Sequence, residues 1–152
     1  MAIFDAMLEL SDDQDIGTIS AAGVLAATNT FNWTQSDLEM GAGDPLWLNI
    51  KMGTEALLST GAATCTFALK RETDTTIDAT SSTVWSTTIA KASLTAGAWV
   101  VRMPLPYDID ADAYMGLLYT INTSDSSAGK VDAWIDHGPQ SSYDTQVSAS
   151  NI

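Results

Sequence analysis

Apolar and polar residues alternate with a period of two along much of this chain, and short runs of that pattern are separated by Gly, Asp, Asn and Ser clusters. Because successive side chains of a strand point to opposite faces, such alternation predicts half-buried strands. Eight runs qualify, at 3–10, 24–33, 45–53, 63–72, 83–91, 97–105, 113–122 and 129–137. In the third, Leu46, Leu48, Ile50 and Met52 share one face and Trp47, Asn49 and Lys51 the other. In the fourth, Cys65, Phe67 and Leu69 oppose Thr64, Thr66 and Lys70. Trp99, Val101, Met103 and Leu105 line one side of the sixth, and Met115, Leu117, Tyr119 and Ile121 one side of the seventh. The last run turns Val131, Ala133 and Ile135 inward and Asp132, Trp134 and Asp136 outward. Many short strands with turn signals between them predict an all-β antiparallel sandwich.

Three segments depart from this rhythm. Residues 3–10 read as a strand or extended arm, although Phe4, Met7 and Leu8 also fall at helical spacing. Ser36-Asp37-Leu38-Glu39 has the form of a capping box, but Gly41 and Gly43 follow at once and leave room for one helical turn at most. The serine-rich stretch after Gly138 has no core pattern and reads as a mobile tail or as an arm ordered only by a partner. The expected organisation is therefore an N-terminal arm or edge strand over 1–14, a sandwich domain over 15–137 and a C-terminal tail over 138–152.

Composition adds constraints. The 152 residues suit one domain, and 45% of them are hydrophobic, enough for a real core. With 19 Asp and Glu against 6 Lys and Arg, the formal net charge is -13. Phosphate neutralisation needs a basic face, so nucleic acid is not an expected partner, and an anionic membrane surface is disfavoured for the same reason. The acidic start and the lack of a long apolar run lead us to expect a protein made soluble in the cytoplasm.

The search for chemistry returns little. His137 is the single histidine, so one chain cannot build a multi-histidine metal site or a Ser-His triad with a second histidine in support. Cys65 lies in an apolar alternating run and reads as a buried thiol. Gly41-Ala42-Gly43-Asp44-Pro45-Leu46 lacks the third glycine of a dinucleotide fingerprint. Asp108-Ile109-Asp110-Ala111-Asp112 starts like a calcium loop but continues with Ala113 and Tyr119 where an EF-hand places Gly and Glu, leaving a solvated acidic loop or a looser surface calcium site. Asp12, Asp13 and Asp15 form a second acidic cluster of the same kind. The asparagines of Asn32-Trp33-Thr34 and Asn122-Thr123-Ser124 match the glycosylation pattern and read as chance. No enzyme, cofactor or catalytic metal is expected. Of the five tryptophans, Trp33, Trp85 and Trp99 fall in register with apolar neighbours and read as core. Trp47 and Trp134 fall on polar faces, where a loop, a sugar or a protein partner would cover them.

Several stretches together resemble a known family. Phe4-Asp5-Ala6-Met7-Leu8-Glu9-Leu10-Ser11-Asp12-Asp13-Gln14, Gly41-Ala42-Gly43-Asp44-Pro45-Leu46-Trp47-Leu48, Pro104-Leu105-Pro106 and Ala128-Gly129-Lys130-Val131-Asp132-Ala133 resemble the decoration, or cementing, proteins of tailed-phage heads, of the jelly-roll kind found on a short-tailed Bordetella phage. The resemblance implies an eight-stranded jelly roll with terminal arms, bound to the outer surface of the virion. It implies the major capsid protein as partner, self-association as a dimer or trimer, and no catalytic residues. Expected interface residues are Trp47 and Trp134, with Phe4, Leu8 and Leu10 of the N-terminal arm. The competing reading is a carbohydrate-binding module or phage adhesin on the same sandwich.

Overall fold

The structure, a computed structural model, describes residues 8–32, 46–105 and 114–136. Phe4, Trp33, the Ser36 to Glu39 box, the Asp108 to Asp112 loop, His137 and the 138–152 tail lie outside the described residues. The described chain forms strands β1 (Glu9–Asp15), β2 (Val24–Ala26), β3 (Phe31–Asn32), β4 (Trp47–Met52), β5 (Leu58–Ser59), β6 (Thr64–Glu72), β7 (Ser82–Ala90), β8 (Trp99–Pro104), β9 (Tyr114–Asn122), β10 (Ser126–Ala128) and β11 (Lys130–Asp136), with one 3₁₀ turn at Lys91–Ser93. The protein is all-β, and among the described residues every strand pairing is antiparallel.

Two sheets make the sandwich. One runs β1-β11-β4-β8 and the other β2-β9-β6-β7, with β3 also paired to β9. Set aside the short β5 and β10, which pair only with each other, and take β2 and β3 as one interrupted run. The sheets then read first-eighth-third-sixth and second-seventh-fourth-fifth in chain order. That is the order of a jelly roll, whose two Greek keys carry consecutive strands back and forth between the sheets. All eight expected runs contain strand, and β5 and β10 are additions too short to show periodicity.

The inward faces are those the alternation selects. Leu48, Ile50, Met52, Val131, Ala133 and Ile135 of one sheet meet Cys65, Phe67, Leu69, Met115, Leu117, Tyr119 and Ile121 of the other, all buried. Phe67 and Tyr119 pack edge to face with centroids 5.8 Å apart, the arrangement ring quadrupoles favour. A buried polar seam joins the sheets. The Tyr119 hydroxyl lies 2.8 Å from Ser11 Oγ, which itself donates to Gln14 Oε1 at 2.6 Å, so the phenol donates and Ser11 accepts. Gln14 Nε2 donates on to the Ala26 carbonyl at 2.7 Å, tying β1 to β2.

Of the two forms expected of the N-terminus, arm and edge strand, the described residues take the second. Residues 9–15 are not an arm but the edge strand β1, hydrogen-bonded to β11 with register shifts between Glu9 and Ser11 and between Ser11 and Gln14. Leu10 is 1% exposed in the protein's own core, and Leu8 packs against that core while its carbonyl accepts the Ile135 N–H at 2.9 Å. Their apolar side chains are satisfied within the fold, so burial supplies what a partner was expected to supply. The strand also begins later than 3–10 suggested and takes in Asp12, Asp13 and Asp15. Backbone pairing and the left-handed turn at Asp13 (φ 43°) accommodate those acids at the rim.

Candidate interaction surface

The outer face of the β1-β11-β4-β8 sheet gathers the aromatic and charged residues of three strands. Pairing sets them in rows: Trp134 opposite Asn49 and Asn49 opposite Arg102, Asp132 opposite Lys51 and Lys51 opposite Trp99, Asp136 opposite Trp47 and Trp47 opposite Pro104. Trp99 belongs to this face because of a bulge. Ile50 pairs with Val101 and Lys51 with Trp99, so Val100 has no opposite number and the strand reverses its facing there. The expectation that Trp99 lines the core with Val101 and Met103 is therefore overturned; its side chain is half-buried on the far side of the sheet.

Once there, Trp99 covers its neighbour. Its ring lies 5.7 Å from that of Trp134, tilted by 56°. The Arg102 guanidinium sits 4.2 Å from the Trp99 centroid and Lys51 Nζ 5.9 Å, two cation–π contacts each worth about 0.5–1 kcal/mol at a partly exposed site. Trp134 points away from the core as alternation requires, yet it is only 3% exposed. Trp47, at the Asp136 end, is half-buried. Trp85 of β7 is also half-buried, packed on the margin of the core. Asn49, opposite Trp134 and Arg102, is fully buried; its Nδ2 donates to the Trp47 carbonyl at 3.4 Å, and its Oδ1 has no hydrogen-bond partner.

Charge is divided across this face. Lys51 and Arg102 lie on the β4 and β8 side, and Glu9, Asp12, Asp132 and Asp136 on the β1 and β11 side. Burial, and then the nearby Asp13 and Asp12 carboxylates, hold the Asp132 carboxyl above its ordinary range, although the Asp13 N–H donates to it at 2.7 Å. Burial and the Asp12 and Asp132 charges raise Glu9 likewise. The acidic cluster of β1 is otherwise engaged locally. Asp13 accepts from Thr54 Oγ1 at 3.0 Å and pairs with Lys130 at 3.6 Å, and Asp15 accepts the Gly17 N–H at 2.8 Å.

Among the described residues, no group of three or more His, Cys, Asp or Glu is placed to hold a metal ion, and no helix is long and apolar enough to cross a membrane. Cys65 is fully buried, and burial pushes its thiol up to about 12, far from the range of a nucleophile. What this face can do chemically is bind, since aromatic rings and arginine are the groups enriched where proteins meet.

The model of one family, Bbp16, matches residues 10–135, from within β1 to the penultimate residue of β11. The chain belongs to the Bbp16 family. That name points to a Bordetella phage protein. No curated protein matches the chain. The Bbp16 match takes in strands of both walls of the jelly roll and most of the bulged face, including Trp47, Trp99, Arg102 and Trp134. Alternation located Trp47 and Trp134 from sequence. Trp99 and Asn49 were missed, because a one-residue bulge leaves no mark in the hydrophobic pattern and Asn49 looks like any solvent-facing polar residue.

Proposed function

We propose that this chain is a structural virion protein that decorates the outer surface of a phage capsid and cements it, bridging neighbouring major capsid protein subunits as a homo-oligomer. The Bbp16 match across the entire jelly roll is the observation that carries this reading. The fold supports it, because a rigid two-sheet body with an aromatic, charge-divided face suits a protein whose task is to hold neighbours together. Cementing works through several modest contacts acting together: capsomers pushed apart by a packaged genome must break all of them at once, and high effective concentration re-forms any that open. The protein is made soluble in the host cytoplasm and joins the shell after assembly.

A sugar-binding module fits the same face less well. Pyranose stacking needs flat, exposed rings, whereas Trp99 and Trp134 are inclined by 56° and Trp134 is 3% exposed.

The test is to add purified full-length protein to heads stripped of decoration and image them by cryo-electron microscopy. Regular density outside the shell, with DNA retained to a higher temperature than in bare heads, is expected. Heads that remain bare at saturating protein would end the proposal.

A further inference from the structure

The two main sheets have four edges, and three of them are blunted. The β1 edge carries Glu9, Asp12, Asp13 and Asp15 together with its register shifts. The β8 edge carries Arg102 and ends on Pro104, which has no N–H to offer. The β2 and β3 edge is interrupted between Ala26 and Phe31, and β2 itself is only 3 residues long. Charge, proline, irregularity and shortness are the devices by which sheet proteins prevent edge-to-edge pairing.

The fourth edge has almost none of them. β7 is 9 residues long, Ser-Thr-Val-Trp-Ser-Thr-Thr-Ile-Ala, rich in β-branched side chains and without charge, proline or glycine. It pairs with β6 on one side. Among the described residues no other strand pairs with it, and the hydrogen bonds of Ser82–Ala90 run to β6, the bond between the Thr88 and Thr66 hydroxyls included. Its single irregularity lies opposite Leu69 and Lys70, so Trp85 to Ala90 run in unbroken register. The charge-free stretch extends over residues 79–90, between Asp78 and Lys91.

We infer that the free edge of β7 pairs antiparallel with the same edge of a second copy, joining the two β2-β9-β6-β7 sheets into one continuous sheet across a two-fold axis. The inference rests on the homo-oligomer reading above and gives it a surface. Three physical arguments select a second copy as occupant. An antiparallel strand edge is complementary to itself, which a two-fold interface requires. Two chains of net charge -13 repel wherever their acids face each other, and this edge is where they approach with least charge between them. Pairing also closes: the remaining edges are blunted, so growth stops at the dimer.

The experiment compares full-length wild type with Ser86→Glu/Ala90→Glu. Both positions are exposed, and the substitutions spare the 2.7 Å Thr66–Thr88 hydroxyl bond. Val24→Glu/Thr28→Glu, also at exposed positions, controls for added charge alone. Sedimentation equilibrium should find wild type and control dimeric and the β7 variant dissociated at least tenfold more readily, about 1.4 kcal/mol. Hydrogen exchange should show those amides between Ser86 and Ala90 that face away from β6 protected only in the dimers, the alternate ones being bonded to β6 in either state. A wild type that stays monomeric at high concentration overturns the inference, even if it binds heads, because the edge then takes a strand of another protein or none. A dimer untouched by the β7 glutamates, or loosened equally by the control, also overturns it. Head occupancy is scored separately: a β7-paired dimer that leaves heads bare keeps this inference and removes the cementing function.

Discussion

At the residue scale, the buried Tyr119–Ser11–Gln14 chain is directional, and direction decides what each substitution costs. Tyr119→Phe removes a donor and leaves Ser11 still bonded to Gln14, a loss of about 1 kcal/mol. Ser11→Ala strands the Tyr119 hydroxyl in the core and should cost about 2–3 kcal/mol, so urea midpoints should rank it the more damaging. Burial also raises the Tyr119 phenol and the Cys65 thiol. Both groups keep their proton in the fold at a pH where the unfolded chain has released it, so the unfolded state binds fewer protons and stability falls as pH rises. The thiol's contribution is whole below its ordinary value of 9.0 and is lost as pH climbs to about 12. Cys65→Val should therefore move the onset of alkaline destabilisation from about pH 9 toward the phenol's ordinary 10.0, read from urea midpoints across pH.

At the element scale, the β8 bulge governs the interaction face. By turning Trp99 over the sheet it gives Trp134 a cover, and this changes which tryptophan can report on an interface. Trp134→Ala should destabilise the fold by about 3 kcal/mol or more, as loss of a buried aromatic does, whereas half-buried Trp47→Ala should cost about 1 kcal/mol. Chemical denaturation checks the ranking. A result in which the two cost the same would mean that Trp134 gains nothing from the Trp99 ring. Trp47 is thus the residue whose replacement would test the proposed shell binding with the fold intact. β7 makes the complementary point, since its polar Ser and Thr positions look innocuous until the topology leaves it at an edge.

At the scale of the whole molecule, the jelly roll closes its first strand against its last. β1 pairs with β11 across nearly the full described length, so residues 9–15 are structural rather than ornamental. Removal of residues 1–7 should leave the near-ultraviolet circular dichroism of the core unchanged. Removal of residues 1–15 takes away Leu10 and exposes the flank of β11. The lost side chain alone is worth about 2–5 kcal/mol, a large share of ordinary domain stability, so this chain should lose its tertiary signal. A native spectrum in the longer truncation would show that β1 is dispensable.

Fold class and most inward faces were legible in the sequence because alternation is a local property: Leu48-Asn49-Ile50 or Phe67-Ala68-Leu69 declares a two-faced strand wherever it is placed. The acid excess likewise argues against nucleic acid as a partner without reference to any coordinates. Long-range pairing was not legible, and it decided the rest. Only the meeting of β1 with β11 shows that Leu10 fills the protein's own core rather than a partner's. Only the offset between Ile50 and Lys51 against Val101 and Trp99 moves an aromatic ring from one face to the other. And only the order of strands in the sheet leaves β7, among the described residues, with a strand on one side alone, because an edge is defined by what lies beside a strand, not by the residues within it.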